Sequence, residues 1–114
     1  MQELSVAKAL LASGAAEEKK ARDIVVLDLR DISTITDFFV LATGTSRPHL
    51  KAIMDAIEER LEESGHRLLH KEGTETSGWI LLDYGDVIVH IFGEQEREYY
   101  DIERLWRDGK VLTT

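Results

Sequence analysis

Two hydrophobic rhythms alternate along the chain. From residue 3 to residue 20, Leu4, Ala7, Leu11 and Ala15 recur at three and four, with Val6 and Leu10 beside them. That spacing predicts a helix. Gly14 in its interior weakens it by about 1 kcal/mol relative to Ala. The run Ile24-Val25-Val26-Leu27-Asp28-Leu29 is short and β-branched, which predicts a strand buried on both faces. After a polar connector, Asp31 to Asp37, the run Phe38 to Thr43 predicts a second buried strand ending at Gly44.

A second helix follows. Thr45 or Ser46 can cap it, and Pro48 is accepted in its first turn. Leu50, Ile53, Met54, Ile57 and Leu61 form its apolar stripe, while Asp55, Glu58, Glu59, Glu62 and Glu63 line the opposite side. Gly65 is placed to end it. A weaker strand spans His66 to Glu72, so Phe38 to Glu72 reads strand, helix, strand, with a right-handed crossover if the two strands are parallel. A polar loop, Gly73 to Gly78, leads to a hairpin, and Arg97 to Arg107 carries Tyr99, Ile102, Leu105 and Trp106 at helical spacing. The sum is one α/β domain over residues 1–114, a mixed sheet of about five strands with flanking helices. Residues 108–114 receive no assignment.

The hairpin holds the least ordinary chemistry. With Tyr84-Gly85 as its turn, Trp79 faces His90 and Asp83 faces Asp86. Alternation then divides the ribbon. One face, Ile80, Leu82, Val87 and Val89, is purely aliphatic and belongs to the core. The other holds Trp79, Leu81, Asp83, Asp86, Ile88 and His90. Unpaired carboxylates are costly in a core, and a solvated face has no use for a Trp and two aliphatics. An aromatic centre with a polar rim is the composition of a protein-binding patch. The competing reading places Trp79 beneath the C-terminal helix, with Tyr99 and Trp106 covering the same face.

Charge narrows the partner. Fourteen basic and 22 acidic residues leave a net charge of -8, which disfavours direct binding to a phosphate backbone. The stretch Glu72 to Asp86 carries Glu72, Glu75, Asp83 and Asp86 but no Lys or Arg, so a basic protein surface is the easier match. With no cysteine there is no disulfide and no thiol chemistry. The N-terminus lacks the features of a signal or transit peptide, and no apolar run reaches the roughly 20 residues of a membrane span. The expected location is the cytoplasm.

Catalysis finds few parts. Gly44-Thr45-Ser46 follows a strand and opens a helix, a place where anions bind and where nucleotidyltransferases carry Gly-Ser. Those enzymes need paired carboxylates on a neighbouring strand for two metal ions, and Arg67-Leu68-Leu69-His70 offers none. His66 and His70 on a strand stand about 13 Å apart, too far to share an ion. His49 has no obvious partner, and His90 near Asp83 or Asp86 has no nucleophile to serve. No catalytic residue, metal site or cofactor is expected. A nucleotide-binding or metal-dependent nucleotidyltransferase-like protein stays as the alternative. A homodimer built on the hairpin face is a third reading.

Four runs resemble the ribosomal silencing factor (Iojap) family. They are Asp23 to Leu29, Thr36 to Ser46, the hairpin Trp79 to His90, and Arg97 to Trp106. They occur in the family's order over about residues 3 to 107, and the short length resembles a bacterial member. The resemblance implies binding to the large ribosomal subunit through large-subunit ribosomal protein fourteen. That position blocks joining of the small subunit and lowers translation when nutrients are short. It also implies a nucleotidyltransferase-like core without catalysis. Trp79, Asp83, Tyr84, Asp86 and His90 match the family's hairpin motif and are the expected docking residues, with Trp79 as anchor and the two Asp against basic residues. The acidic remainder is expected to keep direct contact with ribosomal RNA small.

Overall fold

The computed structural model describes residues 2–107 and 109–113. In chain order the elements are α1 (Gln2–Glu18), β1 (Arg22–Asp28), β2 (Phe38–Gly44), α2 (Arg47–Glu63), β3 (His70–Glu72), β4 (Trp79–Asp83), β5 (Val87–Gly93), α3 (Glu94–Tyr100), α4 (Ile102–Leu105) and β6 (Lys110–Thr113). The six strands form one sheet in the order β3-β4-β5-β2-β1-β6. Only β2 and β5 run parallel; the other neighbours are antiparallel. No helix among the described residues is long and apolar enough to cross a membrane.

The long helices share one face of the sheet. On α2 the buried residues are Leu50, Ile53, Met54, Ile57 and Leu61, the stripe its periodicity predicts. The Ser46 side chain caps α2 by accepting from the His49 backbone N–H, and Gly65 follows the helix at φ 84°. Against α2 and the sheet, α1 presents Ala9, Ala12, Ala15 and Ala16, all fully buried. This differs from the stripe read off the sequence: Leu4 and Leu10 are exposed. Small side chains let α1 lie close to both the sheet and α2, and that close approach outweighs burying the larger leucines on its outer side.

β2 sits at the middle of the sheet and is buried at every position. One edge strand is shorter than the pattern suggests. The stretch from His66 yields only β3, with Leu69 62% exposed. β3 borders β4 at the far edge from β2, so β2 and β3 are not neighbours; the parallel partner of β2 is β5. The unassigned tail supplies β6, which pairs with β1 from Lys110 onward; Asp108 and Thr114 of that tail lie outside the described residues.

Gly73 ties β3 to the hairpin. Its φ is +80°, and a Cβ there would stand 2.0 Å from the Trp79 carbonyl oxygen. Gly65 has a similar φ of +84° but open space around it. Gly73→Ala should therefore destabilise the fold by at least about 2 kcal/mol, since backbone must move in addition to the left-handed strain of about 1–2 kcal/mol that Gly65→Ala alone incurs. Urea denaturation of the two variants checks this; equal losses would mean that the β3–β4 connection yields freely.

Candidate docking face

The hairpin forms with a register two residues away from the expected one. Trp79 faces Phe92, Leu81 faces His90, and Asp83 faces Ile88. The Tyr84 N–H donates to the Val87 carbonyl, so the turn is Gly85-Asp86 and not Tyr84-Gly85. Because strand alternation has a period of two, a two-residue shift keeps each strand residue on its expected face. Tyr84 becomes the last core-face residue of the ribbon and is 4% exposed. Asp86 moves into the turn.

The five expected docking residues consequently separate. Asp86 turns toward α1, where Lys8 Nζ lies 2.6 Å from its Oδ1 and 3.4 Å from the Tyr84 carbonyl oxygen. It is matched inside the molecule, so its pairing with a partner's cation loses its rationale. Tyr84 points to the helix side of the sheet. His90 is on the other side as expected but is only 4% exposed. Trp79 and Asp83 stay half-buried on that other side. Asp83 Oδ1 accepts from the Gly85 N–H at 2.7 Å and has no cation partner among the described residues.

That second face is partly covered. Strand registers line up Glu72, Leu81, His90, Leu41 and Val25 in one row, and His70, Asp83, Ile88, Phe39 and Leu27 in the next. Over the β5-β2-β1 part lie Ile102 and Trp106, packed on the buried cluster of Leu27, Leu29, Phe39, Leu41 and Phe92. Trp106 meets Phe39 edge-on at 5.4 Å between ring centroids. Tyr100 packs against Trp79 at 4.4 Å, while Tyr99 is 81% exposed. The expected continuous helix breaks at Asp101, whose backbone takes φ 46°. The break brings Tyr100 and Trp106 down onto the sheet in place of the pair Tyr99 and Trp106. No apolar spacing announces that break.

What stays open is the β3-β4-β5 end. Leu81 and Ile88 are half-buried there, bounded by Trp79 and rimmed by Asp83 and Glu72. His70 Nε2 lies 2.8 Å from the Glu72 carboxylate. Alternation alone puts Leu81 and Ile88 on this face. The apolar pair is what the geometry leaves available.

Beneath the open strip His90 holds Trp79 in place. The indole Nε1–H donates to His90 Nδ1 at 3.1 Å, so the imidazole is neutral and carries its proton on Nε2. That Nε2 is buried without a hydrogen-bond partner among the described residues. Phe39 packs edge-on against the ring at 4.6 Å and Phe92 stacks at 5.9 Å. Burial, reinforced by the Arg97 charge, lowers the imidazole's pKa to about 4.

The Gly44-Ser46 corner is built differently from a nucleotide site. The Ser46 hydroxyl is used as the helix cap, and the Thr45 N–H donates to His49 Nδ1 at 2.9 Å. His49 Nε2 in turn reaches the Lys19 carbonyl oxygen at 2.7 Å, so this histidine has the partners that the sequence did not reveal. The adjoining groove is lined by Glu75, Glu94 and Glu96 against one cation, Arg47; Glu94 is paired with Arg22, and the remaining acidic excess is an unfavourable neighbourhood for a phosphate. No cluster of metal-ligating side chains occurs among the described residues, and His66 and His70 do not form one.

The family model described as "Ribosomal silencing factor during starvation" matches residues 2–114. The chain is 38% identical over 111 residues to the Ribosomal silencing factor RsfS of Bacillus subtilis, covering 97% of this chain and 92% of that one. A crystal structure of a Chromobacterium violaceum protein superposes with a TM-score of 0.83 at 37% identity, covering 87% of this chain and 82% of the other. A more distant relative is the mouse protein named "Mitochondrial assembly of ribosomal large subunit protein 1", 30% identical over 92 residues and covering 78% of this chain and 40% of that protein. These names describe silencing and assembly factors, none an enzyme.

Proposed function

The chain belongs to the ribosomal silencing factor family, and on that footing we propose that it represses translation by docking on the large ribosomal subunit through the open end of its sheet. Membership implies ribosome-associated regulation of translation. The finer reading is that Leu81, Ile88 and the edge of Trp79 seat against a protein of the large subunit, large-subunit ribosomal protein fourteen. The bound domain then stands where the small subunit must join.

The carrying observation is the open strip itself: half-buried aliphatics beside Asp83, a carboxylate without a cation partner among the described residues, on an acidic chain. An apolar centre supplies affinity once desolvated, and an unpaired carboxylate at its rim selects for Arg or Lys. A net charge of -8 supports a protein contact over a contact with RNA. The mouse relative's name, with its large ribosomal subunit, supports the choice of subunit. At 35 × 32 × 23 Å, the domain is thick enough to obstruct an interface without any chemistry.

Sedimentation of the purified chain with isolated large and small subunits tests the proposal. Retention on large subunits alone is expected, with a matching fall in subunit joining as the chain is added. Retention on small subunits, or on neither, would remove it. The nucleotide alternative predicts a rise in melting temperature with nucleotide and magnesium; the acidic excess beside Gly44-Ser46, with Glu75, Glu94 and Glu96 against Arg47, argues for no shift.

A further inference from the structure

Tyr84, displaced from the docking face, opens a second site. Its ring is packed into the helix-side core and is 4% exposed. Its hydroxyl has no hydrogen-bond partner among the described residues, yet it is not sealed in. It lines a groove of about 410 Å³ with Glu58, Glu62, His66, Arg67 and Leu68, where α2 ends and the chain turns back toward β3.

The groove is negative where the phenol meets it. Burial, then the charges of Glu58 and Glu62, push the Tyr84 hydroxyl up to about 12, so it remains a neutral donor and acceptor at physiological pH. Lys71 Nζ lies 3.3 Å from Glu58 Oε2, so the first carboxylate of the row already pairs with an alkylammonium. Glu62, one helical turn on and roughly 6 Å along the axis, has no ion-pair partner among the described residues. Arg67 likewise has none. Leu68 gives the groove an apolar side.

From this arrangement we infer that the groove binds a small primary alkylammonium ligand, its nitrogen held between the Glu62 carboxylate and the Tyr84 hydroxyl and its alkyl chain along Leu68. A diamine and an amine bearing a carboxylate share that chemistry. In the second case the carboxylate falls to Arg67. The site lies on the face of the sheet opposite to the docking strip and does not depend on the ribosomal reading.

Calorimetric titration of the full chain with 1,4-diaminobutane and with 4-aminobutanoate, at about 0.15 M salt to screen diffuse attraction, separates the two sources. At least one should bind saturably at one site per chain. Glu62→Gln should weaken that ligand about tenfold, the loss of one well-placed charge partner. Tyr84→Phe should weaken it severalfold. Arg67→Ala should affect only the carboxylate-bearing ligand. Glu62 is exposed on α2, so its variant stays folded and keeps the test decisive if Tyr84→Phe does not. No saturable binding of either amine overturns the inference. So does binding that Glu62→Gln leaves unchanged, since that marks counterions gathering on an acidic protein.

Discussion

Leu81→Arg should abolish retention on the large ribosomal subunit while leaving the chain folded. Leu81 is half-buried on the open strip, opposite His90 on one side and Glu72 on the other. In the free protein an Arg stem can lie along the same apolar surface with its guanidinium in water, so the loss of stability should stay within about 1 kcal/mol, as for surface changes away from special features. In the complex the same side chain would add bulk and a positive charge against a basic partner. A hot-spot position at the centre of an interface carries about 2 kcal/mol or more of binding energy, so the expected loss is about thirtyfold or greater. Undiminished sedimentation with large subunits would place the interface elsewhere.

Leu81 is a cleaner probe than Trp79. The indole packs on Tyr100 and Phe92 and donates its N–H to His90. Trp79→Ala would open a cavity and leave His90 Nδ1 unpaired, at a cost of about 3–5 kcal/mol to the fold. A binding defect in that variant would therefore mix docking with unfolding. Asp83 permits a finer test. Asp83→Asn keeps an oxygen to accept from the Gly85 N–H but removes the charge. A loss that shrinks as salt rises would identify a charge contact with the partner.

The helix-side architecture was legible because each signal there is local. Five apolar residues at helical spacing defined the buried side of α2, and short apolar runs marked β1 and β2. Residues that depend on distant contacts were not legible. The face of α1 was misread because alanines bury little area each, and only the nearness of α2 makes Ala9, Ala12 and Ala16 the core side. The hairpin's faces survived a two-residue error in register through the strand period, but the turn did not. That error placed Asp86 and Tyr84 on a surface they do not occupy. Lys8, 78 positions away, decides where Asp86 goes, and nothing near the hairpin in sequence signals it. The docking composition was legible; which members reach solvent depended on Tyr100 and Trp106 folding back after the break at Asp101.

Acid should loosen the docking face through His90. In the unfolded chain this histidine titrates near its ordinary value of 6.5; in the fold burial, then the charge of Arg97, lowers that to about 4. A depressed folded pKa means that the unfolded state binds the proton first. Stability is thus fully present above pH 6.5, falls as pH drops toward 4, and loses nothing further from this group below that. A gap of about 2.5 units corresponds to roughly 3 kcal/mol. Protonation also has a local cost, because Nδ1 can no longer accept from Trp79 and a cation would sit among Phe39 and Phe92. Of the charged groups near the ring, Arg97 is held by Glu103 at 2.8 Å and by Thr43 Oγ1 at 2.8 Å, so Glu103 is already engaged and the Arg97 cation opposes the imidazolium. His90→Asn removes the titration while offering Trp79 an acceptor. The variant should be less stable than the parent at pH 7, and the gap should close by about 3 kcal/mol on going to pH 4. Taking the difference cancels the carboxylates common to both chains. Urea denaturation across that pH range reads it directly, and parallel stability curves would mean that His90 finds room for its second proton without disturbing Trp79.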